Sequence, residues 1–388
     1  MMSGIGHANP LTAYDLAELR RRRSVKWREH PGDVLPVWVA EMDTPLAPPI
    51  AEALTAAVAR GDTGYAEPGA LPEAFAGFAA RRFGWRPDPA SVRLVPDVMT
   101  GIVEVLRHVT GPGGQVVVNT PAYPPYFSWI PKIGRRLVPS PLALTAQGYR
   151  LDLSDLERRF AGGAEAFLLC SPHNPTGLVF TDEELLAVAE LAGRHGVRVI
   201  SDEIHGPLVY PGTRFVPFAT VDGTAAERSI TVTSASKAWN LAGLKAAVTV
   251  YGPGAGAELA MVDDEISEFS GLFGVIASEA AFSEGEPWLD DLLAGLDANR
   301  RLLGDLLAEH LPEVGYQPPQ ATYLAWLDLR ALGLGDDPAE WFLRRGGVAL
   351  YAGPMFGPGG AGHARFNFAT APEVLTEAVR RMAAALRV

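Results

Sequence analysis

The chain has 388 residues, 48% hydrophobic and 20% charged, and its 33 Lys and Arg against 45 Asp and Glu leave a net charge of −12. That balance belongs to a packed globular protein and not to a disordered one. It excludes a nucleic-acid binder, which must build a basic face against phosphate. At this length one core usually divides, so a large unit and a smaller one are expected.

The single cysteine, Cys170, cannot close a disulfide within the chain, which fits a reducing compartment. Met1–His7 has no basic segment followed by an apolar run, and no later stretch is long and apolar enough to span a bilayer. A cytoplasmic protein without membrane contact is expected. The 41 Gly and 32 Pro are scattered in turn-like groups, with no internal repeat.

From residue 115 onward, apolar β-rich runs alternate with amphipathic stretches, the mark of a mainly parallel sheet covered by helices. The runs are 115–119, 166–170, 197–200, 229–233 and 246–250, each ending in polar, Gly or Pro residues. Ligands of such sheets bind outside the carboxyl ends of the strands, so the residues after each run are the candidates.

Ahead of the first run, Met99–Leu106 places Gly101 at a helix start. Amides there suit a phosphate, though alone the signal is weak. Pro121–Tyr126 follows the first run and offers Tyr123 as a flat surface for an aromatic ring, with core packing the equal alternative. In Cys170–Gly177, two prolines and a glycine hold Asn174 at the sheet edge. Its amide can donate and accept, beside an ordinary Asn-Pro turn as the alternative; Cys170 itself is an apolar filler. Thr181 and Glu184 form a capping box for the next helix.

Ile200–His205 puts Asp202 directly after a strand. An acid there could keep a pyridine nitrogen protonated, or simply cap a helix, and His205 alone is more often a satisfied rim histidine. Thr233–Lys245 carries Ser234, Ser236 and Lys237. A lysine partly desolvated in a cleft has a lowered pKa and an amine free for a carbonyl cofactor, whereas a surface lysine is the bland alternative. From about Trp288 a long helix, a strand over 321–328 and two more helices follow. Ala364–Phe368 reads as a strand carrying Arg365, whose guanidinium fork suits a carboxylate or a surface ion pair.

Taken together and in this order, these segments resemble the fold-type-I pyridoxal-phosphate enzymes, the class I/II aminotransferase superfamily. Arg23–Trp27, Pro36–Asp43, Leu169–Pro175, Asp202–His205, Asn240–Leu244 and Ala321–Trp326 are similar to its cystathionine β-lyase, or carbon–sulfur lyase, branch.

The resemblance implies an aspartate aminotransferase-like α/β fold. It has a large domain with a mainly parallel seven-stranded sheet (50–287) and a smaller α+β domain from 1–49 and 288–388. It implies pyridoxal 5′-phosphate as cofactor, no metal, and a homodimer with shared active sites. Lys237 would form the Schiff base and shuttle the Cα proton, and Asp202 would meet the pyridine nitrogen. Asn174 and His205 would hold the phenolic oxygen and Tyr123 would stack on the ring. Thr100, Gly101, Ile102, Ser234, Ser236 and Lys245 would hold the phosphate, with Tyr65 reaching it from the neighbouring subunit. Arg365, Asn174, Ala40 and Tyr351 would face the substrate.

The implied reaction is β-elimination from cystathionine or another S-substituted cysteine to pyruvate, ammonia and a thiol. An aminotransferase, a decarboxylating or deaminating relative, or a catalytically idle binding protein are the alternatives. Leu178, Trp239 and Tyr351 depart from the branch pattern and are read as touching the substrate side.

Overall fold

The computed structural model describes residues 9–146, 148–261 and 264–387. The Met1–His7 segment, expected to carry no secretory signal, lies outside the described residues. Seven strands form the main sheet: β1 (Val92–Val95), β2 (Gln115–Thr120), β3 (Arg136–Pro141), β4 (Ala164–Cys170), β5 (Arg198–Asp202), β6 (Ile230–Thr233) and β7 (Ala247–Tyr251). Their order is β1-β7-β6-β5-β4-β2-β3. Pairs β6/β5, β5/β4, β4/β2 and β2/β3 are parallel, and only β7 runs against its neighbours.

Both faces of this sheet are covered, which is why its strands read as apolar runs. Along β4, Phe167 and Leu169 enter one buried cluster while Ala166, Leu168 and Cys170 enter the other. Among the helices are α1 (Pro48–Arg60), α2 (Leu71–Phe83), α3 (Val98–Val109), α4 (Pro124–Lys132), α5 (Asp182–His195), α6 (Leu272–Glu284), α7 (Glu286–His310), α8 (Pro338–Gly346) and α9 (Pro372–Ala385). The Thr181–Glu184 capping box opens α5 as expected, and Gly196 at φ 69° closes it.

A second, antiparallel sheet has the order β8-β9-β11-β10, from β8 (Gly315–Tyr316), β9 (Leu324–Asp328), β10 (Tyr351–Ala352) and β11 (His363–Asn367). The strand expected over 321–328 begins only at Leu324, because Thr322 takes a left-handed φ of 71° and turns the chain. One apolar cluster runs from the N-terminal segment through α1, α2, α6 and α7 into this sheet. Among the described residues no helix is long and apolar enough to cross a membrane.

Candidate active site

The carboxyl ends of β1, β2, β4, β5 and β6 open on one cavity of about 460 Å³. It gathers Tyr123, Asn174, Asp202, His205, Ser234, Ser236, Lys237 and Lys245 from this edge, Ala40 from the N-terminal segment, and Tyr351 and Arg365 from the second sheet.

Asp202 ends β5 and is buried beneath the cavity. Its Oδ2 accepts from the Tyr126 hydroxyl at 2.5 Å and its Oδ1 from the Ile204 amide at 3.3 Å. It caps no helix. Burial pushes its carboxyl up to about 6 against the pull of those donors and of Lys237. Burial lowers Lys237 to about 8, reinforced by the positive charge of Arg365. Its Nζ donates to the Ala40 carbonyl at 2.9 Å. His205 is buried, its Nδ1 lacks a partner among the described residues, and burial with Lys237 and Arg365 nearby lowers it to about 3, so the ring is neutral.

Arg365 is 1% exposed, with no carboxylate at ion-pair distance among the described residues. It makes no surface ion pair. Its two Nη groups donate to Asn174 Oδ1 at 3.1 Å and the Trp38 carbonyl at 3.0 Å, and its Nε has no partner. Burial lowers it to about 10, which leaves it charged at neutral pH. A buried cation with an idle donor and no counter-ion is a receptor for an anion that arrives from outside.

The Ala40 carbonyl also accepts from the Tyr323 hydroxyl at 2.9 Å, and the segment around it is strapped down. Asn367 Nδ2 donates to the carbonyls of Val39 and Glu41, and Asn240 bonds both the amide and the carbonyl of Met42. Behind the strap, Lys26 and Asp43 form a buried pair at 2.8 Å, each side chain 1% exposed, and Trp27 Nε1 donates to the same carboxylate. These are the residues of the Arg23–Trp27 and Pro36–Asp43 phrases.

The end of the cavity expected to hold a phosphate differs from expectation. Gly101 is the fourth residue of α3, its amide spent on the Asp97 carbonyl. A Cβ on it would lie 3.0–3.1 Å from side chains of Val95, Thr249 and Val232. It is a packing glycine against the sheet, and Ile102 is buried in the core beside it; neither lines the cavity. Asp97, Val98, Met99 and Thr100 line it instead. Asp97 caps α3 through the Thr100 amide at 2.9 Å and pairs with Lys245 at 3.0 Å, so Lys245 and these donors hold its carboxyl below the usual range despite burial. The amides of Val98 and Met99, the first two of the helix, have no intrahelical partner.

Ser234 Oγ donates to the Ala246 carbonyl and accepts from the Ser236 amide. Tyr65 is 86% exposed and does not reach the cavity of its own chain.

Two of the three departures leave the substrate side. Trp239 is fully buried against Phe78 and Phe282, and Leu178 lines a separate small pocket with Tyr149. Only Tyr351 faces the main cavity.

Asp97, Tyr126, Trp38 and Trp129 belong to the site although sequence reasoning passed over them. An Asp directly before an apolar helical run was a visible cap signal for the first. Tyr126 stands three residues after Tyr123 in a helix-opening segment, and one helix face carries both.

The donor set fits pyridoxal phosphate. Helix-start amides, two serines and a lysine offer an anion site at one end, a buried carboxylate can face a ring nitrogen, and a lysine of lowered pKa stands between them and a buried arginine. Such a cleft at a switch between parallel strands defines a pyridoxal-phosphate enzyme of the aspartate aminotransferase-like fold. Residues 34–382 match the family model for aminotransferase class I and II, and the chain belongs to that family.

A putative cystathionine beta-lyase of Mycobacterium leprae is 49% identical over 401 residues, covering 98% of each chain. A cystathionine beta-lyase of Corynebacterium glutamicum is 39% identical, covering 96% of this chain and 99% of that one. Among solved structures, a putative PLP-dependent beta-cystathionase from Corynebacterium diphtheriae superposes with a TM-score of 0.92 at 38% identity, covering 97% of this chain and 99% of that one.

Proposed function

We propose that the protein is a carbon–sulfur β-lyase that converts cystathionine or another S-substituted L-cysteine, with one water, to pyruvate, ammonia and a thiol. The observation that carries amino-acid chemistry is the buried, counter-ion-free Arg365 in the same cavity as the low-pKa Lys237. The relatives of 39–49% identity along nearly their whole length, named for β-lyase activity, favour elimination over transamination.

Bound pyridoxal phosphate supplies a carbonyl for the substrate amine and a ring that takes up the electron pair left at Cα. Lys237 Nζ takes the proton from the substrate Cα, its pKa near 8 making the free amine accessible just above neutral pH. Asp202, oriented by the Tyr126 hydroxyl, would face the ring nitrogen as a carboxylate. Asn174 and the neutral His205 would face the phenolic oxygen, and Tyr123 the ring. The phosphate would be held by Thr100, Ser234, Ser236, Lys245 and the first amides of α3. Arg365, fixed by Asn174 and the Trp38 carbonyl, would bind the α-carboxylate with its remaining donors.

In this reading residues 50–287 carry the cofactor, while 1–49 with 288–388 carry Arg365 and the strap. The exposed Tyr65 supports a homodimer in which it reaches the phosphate of the other subunit. The single cysteine, buried at Cys170, accords with a cytoplasmic setting.

The test is product analysis by mass spectrometry after mixing holoenzyme with L-cystathionine and no keto acid. Pyruvate and homocysteine in equal, multiple-turnover amounts are expected. A single turnover to a sulfur-retaining keto acid would instead make the protein an aminotransferase.

A further inference from the structure

Arg365 determines where an amino-acid carboxylate lies, and its surroundings are aromatic. The guanidinium carbon is 4.8 Å from the Tyr351 ring centre and 5.2 Å from that of Phe356. Those two rings meet edge to face at 5.2 Å. With both Nη groups also bonded, the fork cannot swing away from Tyr351. Tyr351 in turn meets Trp38, ring centres 6.0 Å apart, and both line the cavity together with Tyr123 and Trp129. Trp38 Nε1 is buried without a partner among the described residues.

The charges of the cavity are already committed. Its lining cations are Lys237, Lys245 and Arg365. Lys245 is paired with Asp97, Lys237 serves the Cα proton, and Arg365 takes the α-carboxylate. No other lysine or arginine lines it among the described residues. A thiol half ending in its own ammonium and carboxylate would surrender hydration and find no uncommitted cation of this chain among the described residues lining the cavity. A flat uncharged thiol half would meet the edges and faces of Tyr351 and Trp38.

Resting on the β-lyase reading, we propose that Tyr351, with Trp38, is a specificity-determining residue that selects L-cysteine S-conjugates bearing an uncharged aromatic group on sulfur, ahead of cystathionine. The bond broken is the same Cβ–S bond. The aromatic thiolate leaves with the electron pair, gains a proton, and the remaining three-carbon fragment takes up water to give pyruvate and ammonia.

The experiment compares holoenzyme turnover of S-phenyl-L-cysteine and L-cystathionine by pyruvate release, in wild type, Tyr351→Phe and Tyr351→Leu. Cofactor absorbance titrations with L-phenylalanine and L-glutamate run alongside as binding probes. Wild type is expected to favour the phenyl conjugate in kcat/KM by about tenfold or more, and L-phenylalanine over L-glutamate in Kd. Tyr351→Phe keeps both ratios. Tyr351→Leu, which fills similar space without a ring, loses about tenfold through KM for the phenyl conjugate.

A wild-type preference for cystathionine, or ratios unchanged in Tyr351→Leu, overturns the proposal. Absence of pyruvate from every conjugate would sink the lyase reading alone, since the two titrations still decide the aromatic preference. If Tyr351→Leu does not fold, Trp38→Leu gives the same comparison.

Discussion

Replacing Tyr126 by Phe removes one oxygen and leaves a fully buried ring in place. That oxygen donates to Asp202 Oδ2 at 2.5 Å, and burial holds the phenol well above its ordinary pKa, so it remains a donor at every working pH. Asp202 sits at about 6 because burial outweighs the pull of this bond. A hydrogen bond to an ionised carboxylate is worth about 1.5–3 kcal/mol net, against ~1 kcal/mol when the acceptor is neutral. The difference, ~0.5–2 kcal/mol, moves Asp202 up by about one further unit.

In the apoprotein, a carboxyl whose folded pKa lies above its unfolded value contributes stability that is complete below about pH 4 and lost as pH rises through the folded value. For wild type that loss is centred near pH 6 at its upper end, and in Tyr126→Phe it continues about one unit higher. The penalty of the substitution is therefore ~1 kcal/mol at pH 5, where Asp202 is protonated in both proteins, and ~1.5–3 kcal/mol at pH 8.5. Urea unfolding of the two apoproteins at both pH values, with matched slopes, measures it. Glu203, pushed up to about 8 by burial and raised further by the Asp202 charge, is present in both proteins. A penalty that does not change with pH refutes the claim that Tyr126 tunes this acid.

Arg365→Ala should raise KM for amino-acid substrates by about a hundredfold while cofactor affinity, read by titration, stays put; an unchanged KM would remove the carboxylate role. Gly101→Ala should cost ~1–3 kcal/mol of stability by pressing a methyl onto Val95, Val232 and Thr249, and leave the dissociation constant of pyridoxal phosphate unaltered. The reverse pattern would return Gly101 to the phosphate site. Lys26→Met removes the close partner of the buried Asp43 carboxylate and leaves it Trp27 Nε1 and a longer contact to Arg22 at 3.9 Å, and a loss of ~3 kcal/mol should appear in thermal or urea midpoints. Asn240→Gly loses two bonds to Met42 at a cost of ~1–3 kcal/mol. Asn240→Ala adds ~1 kcal/mol more because the residue sits at φ 59°, and limited proteolysis at 39–42 should rise in both.

The cavity edge was legible because a sheet buried on both faces writes itself as apolar runs, and the cavity opens just past their ends. Asn174, Asp202 and Lys237 were found this way, and Arg365 by its place in an alternating strand. Gly101 was misplaced because a glycine that frees helix-start amides and one that lets a helix lie close on a sheet share the same local sequence; only the neighbours Val232 and Thr249, distant in the chain, distinguish them. Trp239 and Leu178 were assigned to the substrate side by their position in motifs, yet the first points into the α2–α6 packing and the second toward Pro319 and Gln320. Thr322 interrupts an otherwise β-like run with a left-handed turn that no local propensity announces.

The strap shows why such contacts escape a local pattern and yet govern the chemistry. The Ala40 carbonyl is the resting partner of Lys237, so its position sets where the amine points. That carbonyl has no helix or sheet ladder of its own. It is held by Tyr323 directly, by Asn367 on the flanking carbonyls and by Asn240 on Met42, which join the second sheet, the loop after the lysine and the N-terminal segment. Each of these polar groups is satisfied only if its region docks on the N-terminal segment, because an Asn buried without its partners costs more than its bonds return. Docking of these regions and aiming of the Lys237 amine are thus linked. A substitution that loosens the strap should raise the pKa of Lys237 toward its ordinary value by admitting water, and shift the basic pH dependence of turnover upward with it.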